Sequence, residues 1–120
     1  MPFENLASEI SDFVRQYVDS FAGWDLLVYF NENPESSFHL SQIAQEIGRK
    51  ARSIESDIAF LVERGLVERS AGEPGGEPVY RLSAPPDIRK LLEEFLEATR
   101  DRIIRLSAVG MVLKKEARRK

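Results

Sequence analysis

The chain has 120 residues, no cysteine and a formal charge of -3. That length suits one compact domain able to bury a core without staples, and 42% hydrophobic with 31% charged residues describes a soluble folded chain. The missing cysteines exclude disulfides and thiolate metal sites and fit a cytoplasmic location. No apolar run reaches membrane-span length, and "MPFENLASEI" is too acidic for a signal peptide, so no membrane partner is expected.

Charge is spread unevenly. Residues 1–40 carry seven acids and one base, residues 41–83 seven acids and six bases, and residues 84–120 six acids and ten bases. A mildly acidic total therefore conceals a basic C-terminal third.

Phe3, Leu6, Ile10, Phe13, Val14, Tyr17 and Phe21 recur at three- and four-residue steps, which predicts an N-terminal helix over 1–22 broken by Gly23. "WDLLVYFNENP" predicts a short, very apolar helix closed by Pro34 and placed centrally in the core. "FHL" reads as a strand. In "LSQIAQEIG", Ser41 is placed to cap a helix whose inner face is Leu40, Ile43, Ala44 and Ile47, with Gly48 ending it. Ala51, Ile54, Ile58, Leu61 and Val62 predict the buried stripe of the next helix, ended by Gly65.

"LVERS" and "VYRLS" read as strands around "AGEPGGEP", a loop whose three glycines and two prolines suit neither helix nor strand interior. From Pro86 onward, Ile88, Leu91, Leu92, Phe95, Leu96, Thr99, Ile103, Leu106, Val109 and Leu113 predict one long amphipathic helix, with a kink at Gly110. The whole is one domain, mainly α with a small β-hairpin wing. It divides into an N-terminal helix at 1–22, a core at 24–84 and a C-terminal helix at 85–120.

Two short helices joined by a tight turn and followed by a hairpin make a winged helix-turn-helix. In "LSQIAQEIG", "SIESDIAFLVERGLVER" and "VYRLS" the chain resembles the winged helix-turn-helix transcriptional regulators of the MarR and ArsR type. The junction from Leu61 to Val67 is the most specific part of that resemblance.

The resemblance implies a sequence-specific, DNA-binding transcriptional regulator that acts as a homodimer on double-stranded DNA. The second helix of the motif would lie in the major groove. At about 100° per residue, Arg49, Arg52, Ser53, Ser56, Phe60 and Glu63 fall opposite the buried stripe, with Glu55 and Asp57 on the flanks. Arg49, Arg52, Ser53 and Ser56 would face the bases, and Ser41, Gln42 and Lys50 would position the backbone.

The chain departs from the pattern in carrying Ser56 and Phe60 where such regulators often carry bases. Its wing tip holds Glu73 and Glu77 and no base, leaving Arg69 and Arg81 at the wing base as phosphate contacts. An alternative is a winged-helix module that binds protein rather than DNA, which those acids favour.

Terminal helices pair two subunits in such families. Ile10, Phe13, Tyr17, Leu92, Phe95, Leu96, Ile103 and Leu106 are the expected dimerisation residues, because residues 3–21 and 88–113 exceed what one small winged domain needs. The tail "KKEARRK" either steers toward phosphates or suits the negative end of its own helix.

No enzyme is expected. His39 is the one histidine, no nucleophile stands beside a base, and the glycine-rich loop lacks the lysine and following helix of a phosphate loop. No cofactor or metal is expected. A small-molecule effector, which the resemblance implies, would sit among Tyr17, Trp24, Tyr29 and Phe30, residues that equally suit ordinary core packing.

Overall fold

The computed structural model describes residues 2–118, with side chains from position 8 onward. The side chains of Phe3 and Leu6, and the whole of Arg119 and Lys120, lie outside what the structure describes. The elements run α1 (Pro2–Tyr17), α2 (Phe21–Glu32), β1 (Ser37–His39), α3 (Leu40–Ile47), α4 (Ala51–Glu63), β2 (Val67–Ser70), β3 (Val79–Leu82), α5 (Pro86–Ala98) and α6 (Arg102–Arg118).

The strands form an antiparallel sheet in the order β1-β3-β2. Ser37 lies opposite Arg81 on one side of β3, and Glu68 opposite Arg81 on the other. Strand alternation turns Tyr80 and Leu82 inward and Arg81 outward. With α3 and α4 packed behind it, this is a winged helix-turn-helix domain flanked by N- and C-terminal helices. The apolar α2 is its central post: Leu26, Leu27 and Phe30 are fully buried.

Three predicted boundaries move. Gly23 does not break the first helix. The break falls at residues 18–20, and Ser20 caps α2 by accepting from the Gly23 N–H at 2.9 Å. A Cβ at Gly23 would stand 3.2 Å from Ser20 Oγ, so the missing side chain there leaves room for the cap.

Ser41 does not cap α3. Strand β1 runs directly into the helix, so His39 precedes the first turn and Gln42 Oε1 accepts from its N–H at 2.9 Å. Ser41 is exposed inside the first turn.

The C-terminal segment is two helices rather than one. Thr99 Oγ1 turns back to donate to the carbonyls of Phe95 and Leu96, at 2.9 and 3.2 Å. Asp101 Oδ1 then accepts from the N–H groups of Ile103 and Ile104, at 2.9 and 3.2 Å, and opens α6. Gly110 lies inside α6.

The terminal helices close the core of this same chain. Phe13 of α1 stacks on Phe95 of α5 with centroids 4.9 Å apart, and Trp24 of α2 tilts against Phe95 at 5.2 Å. Ile10, Phe13, Leu92 and Phe95 are therefore buried within one protomer, and Tyr17 and Leu96 pack half-buried beside them. Ile10, Phe13, Leu92 and Phe95, expected at a subunit interface, thus pack against their own chain, and the central α2 takes up more of the terminal helices than the sequence suggested. Ile103 at 79% and Leu106 at 60% exposure, joined by Leu113 at 55%, remain uncovered on α6.

Candidate nucleic-acid interface

The turn between α3 and α4 is built by Gly48, whose φ of 72° places it in the left-handed region. The Arg49 N–H then reaches back to the Ala44 carbonyl at 2.9 Å, closing the end of α3. This sharp reversal delivers Lys50 to the start of α4. The first turn of α4 holds no acid, so its positive end is not neutralised from within the helix.

Along α4, Arg52, Ser53 and Ser56 are exposed on one side, while Ile54, Ile58 and Leu61 are buried on the other. Ser53 Oγ donates to the Lys50 carbonyl at 2.7 Å. Its proton is engaged there, which leaves its oxygen as an acceptor. Lys50 and Arg52 extend from an exposed surface.

Arg49 is held differently. Its Nε donates to Asp25 Oδ2 on α2 at 2.9 Å. Phe60 is half-buried against the core, with the Arg64 guanidinium 4.9 Å above its ring.

Asp57 does not flank the exposed face, as the wheel predicted. It is buried, and its Oδ1 accepts from the Ser20 hydroxyl at 2.5 Å. The signal was present in the spacing: Ile54, Asp57, Ile58 and Leu61 follow the three- and four-residue steps of one face. Glu55 is exposed, as expected of a flank.

The remaining predicted contacts are scattered. Ser41 Oγ lies 3.4 Å from Glu77 Oε2 of the wing loop, and His39 Nδ1 lies 3.3 Å from the Pro78 carbonyl. The acidic wing thus folds back toward the start of α3. Gln42 uses its carbonyl oxygen on His39 and keeps its amide N–H groups. Arg69 and Arg81 are both exposed, but alternation sends them to opposite faces of the sheet. Lys50, Arg52, Ser53 and Ser56 are therefore brought onto one surface, while Arg69 and Arg81 are not joined to it by any contact described.

A cleft of about 250 Å³ between α2 and α6 is lined by Phe21, Trp24, Asp25, Val28, Arg105 and Val109. Of the predicted effector-lining residues only Trp24 reaches it. Phe30 is fully buried, Tyr17 packs on Phe13, and Tyr29 packs between Phe30 and Phe38. Burial, aided by the charge of Glu46, raises the Tyr29 phenol above its ordinary range. Among the described residues, no group of three or more His, Asp or Glu could hold a metal ion, and no helix is long and apolar enough to cross a membrane.

No family model and no curated protein matches the chain. Among solved structures, its fold is similar to that of a possible transcriptional regulator from Methanosarcina mazei Go1. The TM-score is 0.51 at 18% identity, over 78% of this chain and 76% of that one. At that identity the likeness is one of fold.

Proposed function

We propose that this protein is a sequence-specific, DNA-binding transcriptional regulator that acts as a homodimer. One observation carries the reading. A second helix of a helix-turn-helix, free of acid in its first turn, turns Lys50, Arg52, Ser53 and Ser56 outward on a single surface. Arg52 has the reach and the fork to bond a guanine edge, Ser56 can bond a base or a phosphate, and Ser53 can accept from a base amino group. The similar fold of a possible transcriptional regulator supports the same reading. The dimer would form through the outward side of α6, around Ile103, Leu106 and Leu113. A two-fold axis there would present two α4 helices to half-sites about 34–36 Å apart. An effector, in this reading, would enter the cleft beside Trp24 and Asp25.

The test is selection of a random duplex pool on the purified protein at low salt, followed by a salt titration of any enriched sequence. An enriched, roughly palindromic site with a steep salt dependence is expected.

A second reading, a module that binds protein, is favoured by the charge around α4. Glu73 and Glu77 are exposed on the wing, Glu55 is exposed on α4, and Arg49 is paired with Asp25. On that reading no duplex is enriched, and a partner protein is retained on the immobilised chain instead.

A further inference from the structure

The corner between α1 and α2, residues 18–20, is gripped from two sides. From one side α6 reaches it with consecutive residues. Lys115 Nζ donates to the carbonyls of Val14, Arg15 and Val18 at 2.6, 2.9 and 3.0 Å. Val14 and Arg15 lie in the last turn of α1, where carbonyls lack the full set of helical partners, and the Val14 carbonyl also accepts from the Val18 N–H at 3.1 Å. Glu116 Oε2 accepts from the N–H of Phe21, the first residue of α2, at 2.8 Å. A cation thus sits on the negative end of one helix, and an anion on the positive end of the next.

From the other side the corner is gripped by α4. Ser20 Oγ accepts from the Gly23 N–H and donates to Asp57 Oδ1 in the middle of α4, and both residues are buried. Arg64, which closes α4, and Asp19 both act electrostatically on Lys115. The end of α1 and the start of α2 therefore meet the last turns of α6 at one small polar cluster, backed on its inner side by the buried Ser20–Asp57 pair.

We propose that this corner is a relay through which α6 sets the placement of α4. Lys115 and Glu116 are its input, and the Ser20–Asp57 bond is its output. Asp57 is a positioning residue. A buried carboxylate is costly to desolvate, and an apolar side chain would fill the space more cheaply. A directional bond achieves what apolar packing does not: it fixes the rotation of α4 about its own axis. That rotation also aims Arg52 and Ser56, which lie about 140° and about 100° around the helix from Asp57.

The relay rests on the proposed DNA-reading function only for its purpose, and its test works without DNA. Amide hydrogen exchange would be followed on the full chain, with the β2–β3 hairpin as an internal reference for global unfolding. Lys115→Met is expected to speed exchange in α4 by about fivefold more than in the hairpin. In a Ser20→Ala, Asp57→Leu background the same change should affect α4 and hairpin equally. Should that background fail to fold, Asp57→Asn, which keeps the shape and weakens the bond, replaces it.

Proportional changes in α4 and hairpin with Ser20 and Asp57 intact would overturn the relay and leave the corner as general stability. An α4-specific effect that persists without the Ser20–Asp57 bond would overturn it too. A duplex arm separates the two ideas. If the wild-type chain enriches no duplex, the DNA-binding reading fails while the exchange result still decides the relay. If it does enrich one, Asp57→Asn should narrow the preference for that duplex over a scrambled one by about fivefold.

Discussion

Arg49 Nε and Asp25 Oδ2 stand 2.9 Å apart, tying the turn before α4 to the middle of α2. The side chains are 36% and 46% exposed, so the pair is worth less than about 1 kcal/mol. On the DNA-reading proposal, a guanidinium engaged by Asp25 is only partly available to a duplex. Asp25→Asn should therefore raise affinity for a selected duplex by about two- to fivefold at low salt, with little change in the urea midpoint. Fluorescence anisotropy on both proteins measures it. Equal affinities would remove Arg49 from the interface.

Arg52 has no such partner described, and it projects from the same surface as Ser53 and Ser56. Arg52→Ala should cost about 1–3 kcal/mol of discrimination at one base position, and competition between single-base variants of the site reads it directly. Arg69→Ala should instead weaken every duplex alike and lower the salt slope by about one. If the two variants behave identically, Arg52 reads phosphate rather than bases.

Phe95 and Leu106 should separate folding from assembly. Phe95 is 1% exposed between Phe13 and Trp24, so Phe95→Ala should cost about 3–5 kcal/mol in urea unfolding. Leu106, 60% exposed, should tolerate Leu106→Glu with little loss of stability. Sedimentation of that variant at micromolar concentration should give the 13.7 kDa monomer where the parent chain gives twice that mass. A parent chain that is already monomeric sinks the α6 dimer.

Lys115 should leave a mark at alkaline pH. Burial pushes its ammonium below the ordinary lysine value of 10.5, with Asp19 pulling it back up and Arg64 and Arg15 pushing it further down. The unfolded chain then holds this proton at pH values where the folded chain has released it. Stability from this group rises with pH between the lowered value and 10.5. The difference in urea midpoint between the parent chain and Lys115→Met should move in the parent's favour as pH climbs through that window. A difference that shrinks would reverse the sign of the burial effect.

Much of the fold is legible in local patterns. The apolar run at Leu26–Phe30, the glycine stops at Gly48 and Gly65, and the strands around "AGEPGGEP" are each written within a short stretch of chain. The structure places them where the periodicity puts them. The breaks at Ser20 and Thr99 were hidden because the apolar stripe continues in phase across them, so only capping bonds reveal the stop. At the candidate interface, Arg52, Ser53 and Ser56 were accessible from the helical wheel. The ties of Arg49 to Asp25 and of Asp57 to Ser20 join residues 24 and 37 positions apart, a range that no periodicity reports.

Thr99 and Asp101 give α5 and α6 independent ends, and that decouples their phase. An extra residue beside Arg100 should spare both side-chain caps, at the cost of the 3.0 Å bond from the Asp101 N–H to the Ala98 carbonyl. An extra residue between Val112 and Lys115 turns everything beyond it by about 100° and carries Lys115 and Glu116 off the corner they close. Length change in this chain is thus tolerable at one point of its C-terminal third and ruinous a few turns later.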